Sequence, residues 1–201
     1  MIPKLIKIPI IIFCILLLDI SISCRKIERK FQWDKLTTQI INNVSSQAQI
    51  ISSSDSVSNK SFGIRLSFSE ISYTANTTLF LNSCYALKLP ELWTNIDSVY
   101  FVKIITQKDF NDVYKSGDDI SPLFRFKITE PNKSPQVDIQ NLVNINGLVN
   151  YMNSPLQSWL YDYDIFLITN FIYKNSHSFI IEIGLSGNRI LSDTTQSVII
   201  Y

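Results

Sequence analysis

Two aspartates in the stretch YDYDI could carry out acid–base chemistry. Asp162 and Asp164 are two residues apart, so in an extended strand they would share one face, about 6–7 Å from each other. That separation suits the two carboxyl groups of a glycoside hydrolase, where one acts as acid and the other as nucleophile or base. Two solvated residues at the start of a strand would give the same pattern. We favour that interpretation. Asp162 and Asp164 remain a weaker candidate for a catalytic pair.

Other catalytic and metal-binding patterns are sparse. His177 is the only histidine, whereas histidine-based metal sites need at least two, and the G-x-S-x-G motif of many serine hydrolases is absent. We expect His177 to lie on the surface in a turn. Asp118 and Asp119 follow Gly117 in a polar loop, but the spacing of a calcium loop is missing. The sequence therefore predicts no metal site and no cofactor.

Aromatic residues offer a second kind of candidate site. Tyr85, Trp93, Trp159, Tyr161 and Tyr163 could stack against a carbohydrate, since Trp93 and Trp159 lie in loop-like sequence. Packing at the edges of sheets explains the same residues and is the favoured interpretation. The aromatics remain candidates for glycan binding only.

Composition excludes one class of partner. The chain of 201 residues is 46% hydrophobic and 17% charged, which is typical of a folded domain. Its formal net charge is +1, and removal of residues 1–23 would leave 16 basic and 16 acidic residues. Because no basic face is implied, we do not expect nucleic-acid binding.

The first 23 residues have the features of a secretory signal peptide. Lys4 and Lys7 precede an apolar run over residues 8–18, and small residues follow. A membrane-spanning helix needs about 20 apolar residues, and Asp19 would be costly inside a bilayer. Removal of this segment is therefore favoured over a transmembrane helix.

The end of that segment, SISC, resembles the lipobox of bacterial lipoproteins. In that motif a small residue precedes a cysteine that is acylated and becomes the new N-terminus, which here would be Cys24. Ser21 stands where Leu, Val or Ile is usual, a looser form that is similar to lipoproteins of the Bacteroidetes. The resemblance implies three acyl chains on Cys24, enough for a stable anchor. An acylated Cys24 could form no disulfide, which would leave Cys84 a lone, buried thiol.

The residues after Cys24 are basic, with the sequence RKIERK. We interpret residues 24–33 as a solvated tether that leads to a single domain over residues 34–201. By resemblance to lipoprotein sorting, Arg25 in place of Asp favours the outer membrane. Surface-exposed lipoproteins of the Bacteroidetes often carry an acidic run here, so the periplasmic and outer faces both stay open.

Alternation of apolar and polar residues dominates the rest of the chain. FGIRLSF (62–68) and SFIIEIGL (178–185) each place apolar residues on one face, as in half-buried strands. Residues 96–105 and 164–173 are apolar on both faces and predict interior strands. Residues 37–44 and 196–201 predict two more strands, SGN at 186–188 a hairpin turn, and 45–60 and 130–136 loops.

Residues 138–154 fit two patterns. Apolar residues lie near helical spacing, whereas Asn146-Gly147 is a strong hairpin signal. We expect a short helix over part of 139–153. With at least six strands, this predicts a mainly β fold: an antiparallel β-sandwich of Ig-like kind with one short helix packed on it.

Two stretches resemble small uncharacterised lipoproteins of the Bacteroidetes. Residues 96–124 are similar to a strand of the form I-x-S-I-x-I followed by Asp-Phe, a Gly-Asp loop and a Phe, here Ile96, Ser98, Val99, Asp109, Phe110, Gly117, Asp118 and Phe124. Residues 177–201 are similar to the closing hairpin of that group. The resemblance implies a cell-envelope location and a β-rich fold and carries no activity.

These observations predict a lipid-anchored envelope protein. Its first partner would be the membrane, through Cys24, and its body would bind or scaffold a glycan or an envelope protein. The alternatives are a carbohydrate-binding module and a glycan-active hydrolase of the envelope.

Overall fold

The computed structural model describes residues 28–45, 48–52, 55–74, 92–127, 142–154, 162–169 and 172–201. The chain divides into two compact units. The smaller comprises residues 1–30 and 72–94, and its described parts, 28–30, 72–74 and 92–94, are extended in strands. The larger comprises residues 31–71 and 95–201.

The described residues form thirteen strands, one α-helix and two 3-10 turns. The strands are β1 (Glu28–Asn42), β2 (Gln49–Ile50), β3 (Ser56–Val57), β4 (Phe62–Thr74), β5 (Leu92–Asn95), β6 (Val99–Thr106), β7 (Phe124–Lys127), β8 (Leu142–Asn144), β9 (Asp162–Leu167), β10 (Asn175–His177), β11 (Phe179–Leu185), β12 (Arg189–Thr194) and β13 (Val198–Ile200). Helix α1 is Ile145–Met152, and the turns are Ser121–Leu123 and Ser186–Asn188.

Three sheets organise the larger unit. The main sheet has the order β2-β1-β4-β9-β7-β8, the second has β12-β11-β6, and the third has β10-β13-β3. In the first two sheets, β1 with β2, β4 with β9, β7 with β8 and β9, and β11 with β6 and β12 pair antiparallel, whereas β13 pairs with β3 in parallel. The expected antiparallel sandwich with a short helix is confirmed in this arrangement.

Aromatic side chains join the main sheet to the second sheet. Phe62 on β4 and Phe124 on β7 contact Phe179 on β11, with ring centroids 5.6 and 6.3 Å apart. The alternation of β4 and β11 explains this core, because the side chains of Ile64 and Ile181 point the same way and are also fully buried. Both of these strand predictions are confirmed.

The side chain of Asn144 caps the N-terminus of helix α1. Asn144 Oδ1 accepts from the backbone N–H of Gly147 at 2.8 Å, which is the geometry of an N-cap. Asn146-Gly147 therefore lies inside a helix and does not form the hairpin that was the alternative. At the other end, Asn153 pairs its amide with the N–H and the C=O of Val99, both at 2.8 Å.

The turn between β11 and β12 has the backbone that its sequence requires. Gly187 has φ 71° and Asn188 has φ 58°, the left-handed region that these two residue types enter most readily. The predicted turn at 186–188 is confirmed.

Three boundaries differ from the prediction. Phe31 and Trp33, assigned to the tether 24–33, are fully buried in β1, so the predicted domain start at residue 34 is too late. The strand predicted over 164–173 ends at Leu167, where the N–H of Ile168 turns to the carbonyl of Leu123. The predicted loop 45–60 contains the two-residue strands β2 and β3.

Candidate functional site

The carboxylates Asp162 and Asp164 lie on the same face of β9, and they have different surroundings. Asp162 is exposed. Asp164 accepts two hydrogen bonds from Arg65 on β4, from Nε to Oδ1 at 2.7 Å and from Nη2 to Oδ2 at 2.8 Å. These hydrogen bonds raise the pKa of Arg65, against the lowering effect of its partial burial. Both oxygens of Asp164 are thus engaged by a permanent cation, which disfavours a role as nucleophile or proton donor.

Of the five aromatic candidates, Tyr163 is buried, and the side chains of the other four, Tyr85 among them, lie outside the described part. Tyr163 points into the sandwich and is buried, so it offers no face to a ligand at the surface. The backbone of Trp93 lies in β5. Trp159 and Tyr161 lie outside the described residues, as does the predicted lipidation site Cys24.

His177 lies in the core and not on the surface, so that prediction is wrong. It is fully buried in β10, and its ring contacts Phe110 and Phe179 at centroid distances of 5.4 and 6.3 Å. Nε2 is 2.8 Å from the carbonyl of Tyr173, so the neutral ring carries its proton on Nε2 and donates it there. Burial lowers the pKa of His177, and the nearby Lys108 acts in the same direction, whereas the hydrogen bond to Tyr173 opposes them.

Asp97 is the carboxylate with the deepest burial among the described ion pairs. Its Oδ2 accepts from the backbone N–H of Trp33 at 2.8 Å, and its Oδ1 accepts from Arg189 Nη1 at 2.9 Å. Arg189 also donates to the carbonyl of Trp33. These hydrogen bonds link β1, the loop before β6 and the start of β12, so Asp97 connects three parts of the larger unit.

The acidic loop after β6 uses its carboxylates internally. Asp109 accepts from the N–H of Ser116 and pairs with Lys115, and Asp118 accepts from the N–H of Lys115. Asp119 accepts from both the N–H and the hydroxyl of Ser121. The described residues contain no cluster of side chains that could hold a metal ion.

A row of aromatic side chains runs along the main sheet from β1 through β4 to β9 and ends on α1, and no sequence pattern indicated it. Trp33 stacks on Phe68 at 4.6 Å, Phe68 meets Tyr163 edge-on at 5.9 Å, and Tyr163 meets Tyr151 of α1 at 6.3 Å. Trp33 Nε1 and the hydroxyls of Tyr151 and Tyr163 are buried without a hydrogen-bond partner. Burial raises the pKa of both tyrosines, so they stay protonated. An unpaired buried polar group costs about 1–3 kcal/mol, which makes this row the least satisfied part of the described core.

The chain matches no family model, no curated protein and no solved structure. Within the described ranges, no helix is long and apolar enough to cross a membrane. No family is therefore assigned to the chain by comparison.

Proposed function

We propose that this protein is a lipid-anchored protein of the bacterial cell envelope whose β-sandwich is a non-enzymatic binding or scaffolding body. The observation that carries the proposal is the opening segment: a basic head, an apolar run too short to span a bilayer, and SISC ending at Cys24. Acylation of Cys24 would hold the body at the membrane.

The proposal has a consequence for the position of the folded body. Phe31 is buried in the larger unit and follows Cys24 by only seven residues. A fully extended chain of seven residues spans at most about 25 Å. An anchor at Cys24 would therefore keep the body close to the bilayer surface, without a long spacer. Arg25, in the position where Asp favours retention in the inner membrane, supports the outer membrane.

The hydrolase alternative loses support from the geometry at β9. A glycosidase needs one carboxyl group free to attack or to accept a proton and a second that stays protonated until it acts. Asp164 is held by Arg65 through both oxygens, and Asp162 is exposed to solvent. The carbohydrate-binding alternative keeps Trp93, Trp159 and Tyr161 as its candidates but loses Tyr163, which is buried.

Incorporation of radiolabelled palmitate in the native host tests the proposal. The wild-type protein should carry label, and Cys24→Ala should lose it and keep residues 1–23, because acylation precedes cleavage in lipoprotein maturation. Cys84→Ala is the matched control and should label like wild type. Label retained in Cys24→Ala would refute acylation at this cysteine and the anchor with it.

A further inference from the structure

Strand β12 is an outer strand of the second sheet, and one of its two sides is open. β11 pairs with β12 along its whole length without a register shift. The N–H of Thr195 donates to the carbonyl of Phe179 at 2.9 Å, which marks that position as a hydrogen-bonded pair. Because hydrogen-bonded pairs alternate along an antiparallel ladder, the N–H and C=O groups of Ile190, Ser192 and Thr194 point away from β11. Among the described residues none binds these groups on that side, and we call the three residues the open edge.

The other outer strand of this sheet, β6, has its free side closed by the chain itself. The carbonyl of Ile104 accepts from the N–H of Ile120 at 2.8 Å, and the N–H of Ile104 donates to the hydroxyl of Ser121 at 2.8 Å. Residues 117–118 bind the C=O and the N–H of Thr106 in the same manner. Unpaired edges favour association with other strands, and proteins usually protect them. The second sheet therefore has one protected edge and one edge without protection.

The open edge lacks the usual protections of an outer strand. It carries no lysine, no proline and no bulge. Asp193 is the one charged residue between its ends, and it pairs with the buried Ile181 on the inner face of the sheet. There Oδ2 of Asp193 accepts from the N–H and the hydroxyl of Thr38, at 2.6 and 2.8 Å. The side chains of the open edge itself are exposed and uncharged, so no charge within it repels a second strand.

We propose that the open edge pairs with the open edge of a second copy of this chain, antiparallel and about a two-fold axis at Ser192. Ser192 then lies opposite its own counterpart, and Ile190 lies opposite Thr194. This register uses every outward N–H and C=O of the three residues. It joins the two three-stranded sheets into one continuous sheet. The inference goes beyond the proposed function and does not depend on acylation of Cys24.

Other registers satisfy fewer groups. An axis at Leu191 or at Asp193 leaves one residue of the open edge without a partner in the opposite β12. An axis at Asp193 also places two carboxylates opposite each other, and like charges that face each other across strands are destabilising. The axis at Ser192 avoids both, because Asp193 then lies opposite Leu191.

The side chains of β12 complement themselves in the proposed register. A two-fold interface requires that the same surface fit its own copy. Ile190 and Thr194 are both β-branched, and cross-strand pairs of this kind stabilise a sheet. The two serines on the axis are small and uncharged, so they bring no steric or electrostatic penalty. A second copy therefore fits the open edge without any change in the strand.

Sedimentation equilibrium of the full-length protein tests the inference, in detergent so that an acylated N-terminus stays dispersed. The wild type should dimerise below about 100 µM. Ser192→Lys and Ser192→Glu each place two like charges on the axis, which should raise the dimer dissociation constant at least about tenfold. An equal mixture of the two variants places opposite charges there and should restore dimers that contain one chain of each. Ser69→Lys, at an exposed serine of β4, is the matched control and should dimerise like the wild type.

The mixture distinguishes this interface from any other. A wild type that stays monomeric overturns the pairing with a second copy and leaves the open edge to a different polypeptide. Dimers that persist in both charged variants, or a mixture that stays monomeric, overturn the two-fold pairing at Ser192. Urea unfolding checks that the variants are folded. If either is less stable than the wild type, Ile190→Lys mixed with Thr194→Glu tests the same register at the flanking pair, and failure to form mixed dimers overturns it.

Discussion

Asp97 and Asp164 each bind an arginine, but their surroundings give the two pairs different roles. Asp97 is almost fully buried and also accepts from the backbone of Trp33, whereas the Asp164–Arg65 pair is about a quarter exposed on both sides. Removing one partner of a buried, hydrogen-bonded charge typically costs about 3–5 kcal/mol, and a hydrogen bond to a charged group that solvent still reaches contributes about 1.5–3 kcal/mol.

We therefore expect Asp97→Ala to lower the free energy of unfolding by about 4 kcal/mol and Asp164→Ala by less, about 2 kcal/mol. Urea unfolding at pH 7 measures both. Equal losses of unfolding free energy in the two variants would show that the hydrogen bonds of Asp97 do not stabilise the fold more than those of Asp164. Asp97→Asn is the matched variant, since it keeps the shape and one acceptor while removing the charge.

His177 should make the stability of the fold depend on pH. Burial lowers its pKa in the folded state, so the unfolded chain, with a pKa near 6.5, binds a proton more readily. The contribution of the neutral ring is complete above about pH 6.5 and is lost as the pH falls from there towards the folded pKa. The slope for one proton is at most about 1.4 kcal/mol per pH unit.

Unfolding free energies at pH 7.5 and 5.5 test this expectation. The wild type should lose more stability between these values than His177→Gln, which cannot take up the proton and can still donate to the carbonyl of Tyr173. Parallel losses in the two proteins would assign the pH dependence to other groups. Within KNSHSF, His177 and Phe179 are two residues apart and both buried, a local alternation that could have indicated burial, whereas the partner Phe110 comes from a distant loop.

At the scale of elements, alternation identified the strands that bury one face. Residues 62–68 and 179–185 were predictable because each apolar side chain meets the core at a period of two. The strands β2 and β3 were not, since pairs of residues have no period and are held by backbone bonds to β1 and β13. The end of β9 was also missed, because Ile168 continues the apolar run although it is exposed.

Gly63 on β4 is a strand position that has no room for a larger side chain. Alanine is normally tolerated better than glycine in a strand interior, because it restricts the unfolded chain. Here an added Cβ would lie 2.8 Å from the carbonyl oxygen of Ile165, 2.8 Å from the ring of Phe166 and 3.0 Å from Ile41. The carbonyl belongs to the paired strand β9 and cannot move without disturbing the register.

Gly63→Ala should therefore destabilise the protein, by about 1–3 kcal/mol, where overpacking outweighs the gain in the unfolded state. The melting temperature gives the sign directly. Ser67→Ala, four residues along the same strand and partly exposed, is the control and should change stability by less than about 0.5 kcal/mol. A rise in melting temperature for Gly63→Ala would mean that β9 accommodates the methyl group.

For the whole molecule, the sequence sufficed for the fold class but placed the start of the body too late. Residues 24–33 are rich in charge, and RKIERK is typical of a solvated segment. Trp33 and Phe31 nevertheless alternate with Gln32 and fill the core beside Phe68. Two apolar residues are too few to show a period, and only the partners from distant strands identify them as core.

That difference gives a prediction for chains with shortened N-termini. A chain that begins at Glu28 keeps all of β1, whereas one that begins at Asp34 lacks Phe31, Trp33 and the N–H that donates to Asp97. Truncating one buried aromatic side chain to alanine typically costs about 3–5 kcal/mol, and total stabilities are about 5–15 kcal/mol. The chain from Asp34 should therefore be largely unfolded at 25 °C.

Circular dichroism and urea unfolding of the two shortened chains, expressed without residues 1–27, make this comparison. The chain from Glu28 should unfold in one cooperative transition. As a control for length alone, Phe31→Ala with Trp33→Ala in the chain from Glu28 should reproduce most of the loss. If the chain from Asp34 instead unfolds at the same urea concentration as the chain from Glu28, then Phe31 and Trp33 contribute nothing to the core and the body begins where the charge pattern alone placed it.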